Sequence, residues 1–305
     1  MNTETLRTFL KLTEVRNYTQ TASQLFVAQS TVTNRIFELE NELGFSLFVR
    51  ERKNLKLTAA GEHFLDYARR IVELEQSAVS ELSNLNHYVE SLRIGSTNTI
   101  YDCHLVQPVL LYQKKHPDIS LSISINHSLP LIQMLQDHTL DMVFTYVPHK
   151  RNPIHSTVFA TDPLVLVTCA SNTAYRAGIH QAKLLEIPYY YCDFPFQELG
   201  GYIKNLFPKN HPFPLTMDRS ANLLPFLTNG NGYSFLPRSL IAPLLADGQL
   251  IEIATLDFDV PPVNCYVEYC EDTPVLARIR EFTELLDTNR HPSTAETGGT
   301  LPPCP

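Results

Sequence analysis

Polar side chains suited to nucleic-acid contacts crowd a short stretch near the N-terminus. Residues 29–35, QSTVTNR, carry hydroxyl, amide and guanidinium groups, which hydrogen-bond to base edges and phosphates of a DNA duplex. A basic cluster follows at residues 50–56. The candidate DNA-contacting residues are Thr19, Gln29, Ser30, Thr31, Thr33, Asn34, Arg35, Arg50, Arg52 and Lys53.

The residues around this stretch predict two short helices joined by a tight turn. Thr19 is expected to cap a first helix over residues 19–25, because its hydroxyl can accept a hydrogen bond from a free backbone N–H. The second helix follows the turn at residues 26–28 and ends at Gly44, where a left-handed residue is expected. Its apolar stripe consists of Val32, Ile36, Leu39 and Leu43. With a supporting helix over residues 3–15, the pattern predicts a helix-turn-helix whose second helix enters a major groove.

A basic hairpin is expected directly after these helices. Residues 45–49 are mostly apolar, and Leu55 and Leu57 alternate with polar residues beyond a turn at Lys53-Asn54. Cations on both sides of the turn suit contacts to phosphates, so the pattern predicts a two-stranded wing on the duplex. A hairpin that is merely solvated is the alternative, and the preceding helix-turn-helix favours the DNA-binding interpretation.

Residues 1 to about 60 resemble the winged helix-turn-helix of the LysR-type transcriptional regulators. The matching residues are Phe9, Ala22, Leu25, Gln29, Ser30, Val32, Ile36, Leu39-Glu40, Leu43-Gly44, Leu47-Phe48, Arg50 and Leu57-Thr58-x-x-Gly61. The family often has a basic residue where Asn34 stands and a polar one after it, whereas Arg35 follows here. The resemblance therefore implies double-stranded promoter DNA and RNA polymerase as partners, without fixing which side chains read the bases.

A long helix is expected over residues 59–89, with Thr58 as its cap. Phe64, Ala68, Ile71, Ala78, Leu82 and Leu85 recur at near-heptad spacing. A helix of this length spans roughly 48 Å and cannot bury its stripe within one small domain. Pairing with a second copy is predicted, and an unpartnered spacer is the alternative. In the resembled family this is the linker helix, which implies a homodimer or homotetramer.

The rest of the chain alternates strand and helix patterns, so the fold class is α/β overall. Residues 91–145 read as β-α-β-α-β, which predicts a parallel sheet with crossover helices, and a second such unit starts near residue 158. The pattern resembles the family's effector-binding part, which is similar to periplasmic binding proteins: two lobes flank a cleft, and the chain crosses near residues 147–160 and 260–266.

The expected domains follow from these patterns. The winged helix-turn-helix takes residues 1–58, the linker helix 59–89 and the effector-binding domain 90–290. Within the latter, lobe one takes about 91–155 and 264–288, and lobe two takes about 156–262. The remainder, 291–305, is rich in Pro, Gly, Ser and Thr and is expected to be disordered.

Ligands of α/β lobes bind beyond the carboxyl ends of the strands, at helix N-termini. This rule selects a set of candidate effector-binding residues: Ser96, Thr97, Asn98, Ser128, Thr145, Tyr146, Asp193 and Phe194, with the Gly200-Gly201 turn. The resemblance favours Ser96-Thr97 and Ser128. The alternative is that these hydroxyls only cap their helices. The nearby aromatic residues indicate an aromatic or apolar ligand, or simply a core.

Composition excludes several classes of protein. Hydrophobic residues make up 44% and charged residues 18% of the 305, as in ordinary globular proteins. No apolar run reaches the roughly 18 residues needed to span a bilayer, and the N-terminus lacks the features of a secretion signal, so a cytoplasmic protein is expected. A net charge of −8 still permits DNA binding through a local basic patch.

Enzyme and metal motifs are missing from the sequence. It contains no G-x-S-x-G, H-E-x-x-H or phosphate-cradling glycine loop, so neither an enzyme nor a cofactor is expected. The six cysteines form no C-x-x-C pair or zinc-finger spacing; buried thiols are expected, and a redox sensor is the alternative. The rival functional class is a cytosolic ligand-binding protein or enzyme whose winged helix contacts proteins.

Overall fold

The computed structural model describes residues 2–51, 54–84, 87–149, 152–192 and 199–288. The chain forms two compact units, residues 1–88 and 89–305. Among the described residues, no helix has both the length and the apolarity required to cross a membrane.

The first unit begins with three helices and a hairpin. Its elements are α1 Thr3–Val15, α2 Tyr18–Gln24, α3 Gln29–Leu43, β1 Phe48–Glu51, β2 Asn54–Leu57 and α4 Ala59–Asn84. The expected cap at Thr19 is wrong. Asn17 lies in extended conformation, and its side chain accepts a hydrogen bond from the backbone N–H of Gln20 at 3.1 Å, so α2 starts at Tyr18.

The core of this unit lies between α1, α3 and α4. Phe9 is fully buried and packs its ring on Phe48 and Phe64, with centroids 5.5 and 5.4 Å away. The predicted stripe of α3 is buried except for a half-exposed Leu43. Gly44 ends α3 with φ 75°, as expected for a left-handed cap.

Side-chain hydrogen bonds stabilise the connections from α3 to the hairpin and from the hairpin to α4. A carboxylate oxygen of Glu40 accepts hydrogen bonds from the backbone N–H groups of Leu47 and Phe48 at 2.6 and 3.1 Å. The hydroxyl of Thr58 accepts one from the backbone N–H of Gly61 at 3.0 Å, so the predicted cap of α4 is present. Its 26 residues span about 39 Å. The described helix ends at Asn84, short of the expected residue 89.

The second unit contains ten strands in the described residues. They are β3 Glu90–Ser96, β4 Ile119–Ile125, β5 Met142–Thr145, β6 Ile154–Asp162, β7 Leu164–Cys169, β8 Tyr190–Cys192, β9 Leu215–Met217, β10 Ser234–Pro237, β11 Leu250–Ile253 and β12 Val263–Cys270. The described helices are α5 Asn98–Ile100, α6 Val106–Lys115, α7 Ser128–Gln136, α8 Leu199–Asn205, α9 Leu224–Thr228, α10 Arg238–Ala246 and α11 Leu276–Thr288.

The first lobe is built on a five-stranded sheet in the order β4-β3-β5-β12-β6. Strand β3 lies parallel to β4 and β5, as the β-α-β-α-β pattern predicts. Strands β12 and β6 pair antiparallel, with Asp162 opposite Val263. Because β6 stays in this sheet to Asp162, the lobe boundary expected at residue 156 lies near residue 163.

The second lobe differs from its prediction. Its three-stranded sheet has the order β10-β7-β11, and both pairs are antiparallel, so the expected second parallel unit is wrong here. Strands β8 and β9 form a separate parallel pair. The sequence did not predict β9 and β11, because three or four residues carry too little alternation to identify a strand.

Candidate DNA-contacting surface and effector cleft

One face of α3 is exposed and polar. Ser30, Thr33 and Asn34 lie on it at helical spacing, and Gln29 is exposed at the start of the helix. The hydroxyl of Thr19 donates a hydrogen bond to the side-chain oxygen of Gln29 at 3.0 Å, so the two predicted residues lie together. Thr31 is half-buried.

The N-terminus of α3 is open to a ligand. Its N-cap residue is Ala28, which has no side chain able to accept a hydrogen bond from the first turn. The first backbone N–H groups of a helix lack intrahelical partners and favour anions such as phosphate. The start of α3 therefore offers backbone donors next to its polar side chains.

Arg35 does not lie on the polar face. Its guanidinium donates a hydrogen bond to the hydroxyl of Thr8 at 3.1 Å and forms an ion pair with Glu4. Position 35 lies beside the buried Ile36 on the side that packs on α1. The interpretation of Arg35 as a base-reading residue is therefore corrected: it joins α3 to α1.

Two exposed aromatic residues were missed by sequence reasoning. Phe26, in the turn before α3, is 93% exposed and has a φ of 56°. Phe37, 61% exposed, continues the face of Ser30, Thr33 and Asn34 by one turn. Large exposed rings beside a polar face suit apolar contacts such as the methyl group of thymine.

The expected two-stranded hairpin is present, with Arg50 opposite Leu55 and Glu51 opposite Asn54. Asn54 therefore lies in β2 and not in the turn expected at Lys53-Asn54. Lys56 is exposed on β2. Arg52 and Lys53 lie outside the described residues, as does the side chain of Arg50.

The apolar residues of α4 divide into two groups. Ala68 and Val72 are buried in the core of the first unit, so the first half of the helix packs on its own domain. Further along, Leu74, Val79 and Leu82 are 43%, 59% and 65% exposed. The second half therefore carries an exposed apolar surface.

A cavity lies between the carboxyl ends of the first-lobe strands and the second lobe. Its volume is about 80 Å³, and its lining is Thr97, Asn98, Thr99, Ile125, Asn126, His127, Tyr146, Asp218, Arg219 and Ser220. Drug-sized ligands occupy pockets of roughly 300–1,000 Å³. The cavity as it stands thus fits a very small polar molecule, and a larger ligand requires the lobes to separate.

Three of the predicted effector residues line this cavity: Thr97, Asn98 and Tyr146. The hydroxyl of Ser96 donates to the carbonyl of Thr97, and that of Ser128 accepts from the backbone N–H of Tyr146. These two side chains, together with Thr145, are buried away from the cavity lining. Asp193 and Phe194 lie outside the described residues.

The cavity wall is polar and contains residues of both charges, Asp218 and Arg219. Thr97, His127 and Arg219 each precede the first residue of a helix, and none of them caps that helix with its side chain. Backbone N–H groups of three helix starts thus border the cavity, together with the acidic Asp218 and the basic Arg219. Residues 218–220 were missed because β9, which leads into them, was not recognised.

Two hydroxyls on this wall are positioned to meet a ligand. Thr97 is 4% exposed, and its Oγ1 has no hydrogen-bond partner among the described residues. A buried hydroxyl without a partner costs free energy, and a ligand oxygen would supply one. Burial raises the pKa of Tyr146 well above its usual value, so its phenol stays protonated and able to donate.

The side chain of Glu268 forms hydrogen bonds with the segment that carries Tyr146. Its carboxyl group accepts hydrogen bonds from the backbone N–H of His149 at 2.5 Å and from the hydroxyl of Ser156 at 2.9 Å, and it is hydrogen-bonded to the hydroxyl of Thr145 at 3.0 Å. Glu268 is fully buried in β12. Thr145, predicted to contact the effector, is a member of this network instead.

Two family models match the chain. The model described as "LysR substrate binding domain" matches residues 86–290, and "Bacterial regulatory helix-turn-helix protein, lysR family" matches residues 3–62.

Among characterised relatives, the HTH-type transcriptional regulator HdfR of Escherichia coli O139:H28 is 34% identical over 173 residues. That region covers 56% of this chain and 62% of HdfR, so the chain spans less than two thirds of this relative. The HdfR of Shigella boydii serotype 18 gives the same values.

Solved structures share the fold. The crystal structure of CbnR, a LysR family transcriptional regulator, has a TM-score of 0.66 at 21% identity and covers 94% of this chain and 99% of CbnR. Full-length CbnR complexed with its target DNA has a TM-score of 0.64 at 21% identity, covering 94% and 100%.

Proposed function

Because this chain belongs to the LysR family of bacterial transcriptional regulators, we propose that it binds promoter DNA and responds to a small molecule. The relatives that match it are named as transcriptional regulators, which favours regulation over catalysis. The proposal places the protein in the cytoplasm, with promoter DNA and RNA polymerase as partners.

The exposed polar face of α3 is the observation that carries the DNA-binding proposal. Ser30, Thr33 and Asn34 are exposed together beside an uncapped helix N-terminus. Short hydroxyl and amide groups at the start of such a helix suit base edges, and the free N–H groups suit phosphates. The hairpin would then lie on the flanking backbone.

The test begins with sequencing of genomic DNA fragments retained by the purified protein. Affinity for the recovered site is then compared between wild type, Asn34→Ala and Asn41→Ala. Asn41 is exposed on the same helix about two turns further along, so it serves as the matched control. Loss of a base contact costs about 1–3 kcal/mol of binding free energy, or roughly 5- to 150-fold in affinity. We expect this loss for Asn34→Ala and wild-type affinity for Asn41→Ala. Equal affinities of all three proteins would contradict the proposed orientation of α3.

Self-association is proposed for the second half of α4. Leu74, Val79 and Leu82 form an exposed apolar surface, and burial of such side chains contributes roughly 1.5–3 kcal/mol each. Leu82→Glu should shift the sedimenting species toward the monomer, whereas Gln76→Glu, which adds the same charge at an exposed polar position of the helix, should not. An unchanged mass for Leu82→Glu would contradict the pairing. The same measurement distinguishes a dimer from a tetramer.

The effector is proposed to be a small carboxylate whose anionic group lies at the helix starts around Thr97 and Arg219 and whose remaining polar group donates a hydrogen bond to Asp218. Calorimetric titration with a panel of small carboxylates identifies it. Thr97→Val removes the unpartnered hydroxyl while keeping the shape, and Arg219→Gln removes the guanidinium. Both should weaken effector binding while leaving affinity for DNA intact. Full binding by both variants would contradict a ligand at this cavity.

A further inference from the structure

Three side chains with metal-binding atoms meet in the first lobe, outside the cavity described above. In the described part of the chain, a ring nitrogen of His104, a carboxylate oxygen of Asp162 and the Sγ of Cys265 lie within 4.8 Å of one another. The His104 Nε2 and the Asp162 Oδ2 are 2.7 Å apart. None of the three lines the effector cavity.

The fold brings these residues together from distant parts of the sequence. In the β6–β12 pair, Asp162 lies opposite Val263, and Cys265 lies opposite Ala160. Opposite residues, and every second residue along a strand, share one face of a sheet, so Asp162 and Cys265 project to the same side. His104 reaches them from a π-helical turn, Tyr101–Leu105. Such turns often occur at functional sites.

The three donor atoms are those that zinc prefers. Zn²⁺ binds thiolate sulfur, imidazole nitrogen and carboxylate oxygen, and sites with three protein ligands keep a fourth position for water or another ligand. A thiolate disfavours hard cations such as Mg²⁺ and Ca²⁺. Tetrahedral bonds of normal length place the donor atoms about 3.3–3.7 Å apart. The His104 and Asp162 atoms, 2.7 Å apart, therefore need to separate by roughly 0.6 Å, and the most distant pair, within 4.8 Å, needs to close by at most about 1 Å.

The site is buried yet reachable. Asp162 and Cys265 are buried, while the His104 side chain is 20% exposed. An open groove of about 880 Å³ runs past His104, and Phe159 packs edge-on against the imidazole with centroids 5.8 Å apart. An ion can thus reach the ring from solvent, and the ring is held in one orientation.

We propose that His104, Asp162 and Cys265 bind a divalent late-transition-metal ion of the zinc type, with its fourth position open to the groove. Binding releases the thiol proton of Cys265 to solvent. The proton between His104 and Asp162 also leaves for solvent, the other ring nitrogen of a neutral His104 takes up a proton in exchange, and the ion lies between the two groups. The ion would join β6 to β12 where the chain passes between the lobes.

The test uses the full chain, reduced and stripped with a chelator, and Co²⁺ as a spectroscopic substitute for Zn²⁺. One equivalent of Co²⁺ should give a near-ultraviolet thiolate-to-cobalt charge-transfer absorption, and Zn²⁺ should displace it. The metal should also raise the melting temperature. Cys265→Ser should abolish the charge-transfer absorption, and His104→Gln and Asp162→Asn should each weaken Co²⁺ binding at least about tenfold.

Two matched controls use residues of the same kinds elsewhere. Cys270→Ser changes another buried thiol of β12. His180→Gln changes a surface pair in which His180 and Asp257 are 3.2 Å apart. Both should retain the wild-type titration.

Absence of a charge-transfer absorption in the wild-type protein would overturn the proposal, as would its persistence in folded Cys265→Ser. Circular dichroism and thermal melting report folding of each variant. If Cys265→Ser does not fold, the near-isosteric variants His104→Gln and Asp162→Asn decide whether the metal site exists. Unchanged Co²⁺ affinity in both would overturn the site.

Discussion

Glu268 should behave as a neutral hydrogen-bonding group rather than as a necessary charge. The carboxyl is fully buried in β12, and burial raises its pKa above the usual value, against the opposing effect of its hydrogen-bond donors. In the protonated form, its Oε2 can donate to the Thr145 hydroxyl, which in turn donates to the carbonyl of Val147 at 2.9 Å. Oε1 still accepts from His149 and Ser156.

Glutamine can reproduce this arrangement atom for atom. Its carbonyl would accept from the His149 N–H and the Ser156 hydroxyl, and its amide would donate to Thr145. Glu268→Gln should therefore lie within about 1 kcal/mol of wild type. Glu268→Ala instead leaves two half-buried donors, the His149 N–H and the Ser156 hydroxyl, without this acceptor, at about 1–3 kcal/mol each. A total of roughly 2–6 kcal/mol is expected, and each kcal/mol lowers the melting temperature of a unit this size by about 2–4 °C.

The dependence on pH follows from the direction of the pKa shift. A carboxyl whose pKa is raised by folding binds its proton more tightly in the folded protein. Its contribution to the free energy of unfolding is fully present below the unfolded value of 4.5 and is lost as the pH rises through the folded value. Glutamine cannot lose this proton, so Glu268→Gln should gain stability relative to wild type with rising pH.

Thermal melts of wild type, Glu268→Gln and Glu268→Ala from pH 4.5 to neutrality measure both effects. Ser156→Ala is the matched control, because it removes one donor and leaves the carboxyl in place. Equal destabilisation by glutamine and alanine would refute the neutral network, and so would identical pH profiles of wild type and Glu268→Gln. Since the network holds the segment that bears Tyr146, Glu268→Ala should also weaken effector binding.

Three further predictions concern the two units. Arg35→Ala should destabilise the first unit by only about 1 kcal/mol, because the ion pair with Glu4 is largely exposed. Unchanged stability, together with a loss of affinity for the specific site but not for random duplex DNA, would contradict its role in joining α3 to α1. Gly61→Ala should destabilise the first unit by roughly 1–3 kcal/mol, since an added Cβ would lie 2.2 Å from the carbonyl oxygen of Leu47. Gly201→Ala is the control, because its added Cβ meets nothing within 4 Å. Equal denaturation midpoints for both variants and wild type would contradict the close approach at Gly61. Hydrogen bonds from Ser171 lower the pKa of the Cys169 thiol, and burial raises that of Cys270. Cys169 should therefore be alkylated before Cys270, as mass spectrometry would show, and Ser171→Ala should slow the alkylation of Cys169.

Local pattern determined the elements of the first unit and the first half of the second. The stripe of Val32, Ile36 and Leu39, and the stop at Gly44, specify α3 through helical periodicity and a left-handed cap, both of which depend only on neighbouring residues. The parallel β3, β4 and β5 follow in the same way from alternating strands and helices. The sequence also predicted that Thr97, Asn98 and Tyr146 lie at the cleft, where they line the cavity, because chain direction alone places them at the carboxyl ends of strands.

Only the tertiary structure decided which polar side chains can contact DNA or an effector. Arg35 reads as a DNA contact in sequence, but Glu4 and Thr8 of another helix take its guanidinium. Thr145 is occupied by Glu268, 123 residues away. The antiparallel second sheet, the cavity wall at residues 218–220, and the meeting of His104 with Asp162 and Cys265 also depend on contacts between distant segments. Contacts between segments this far apart in sequence depend on packing and burial in the whole unit, so local periodicity does not predict them.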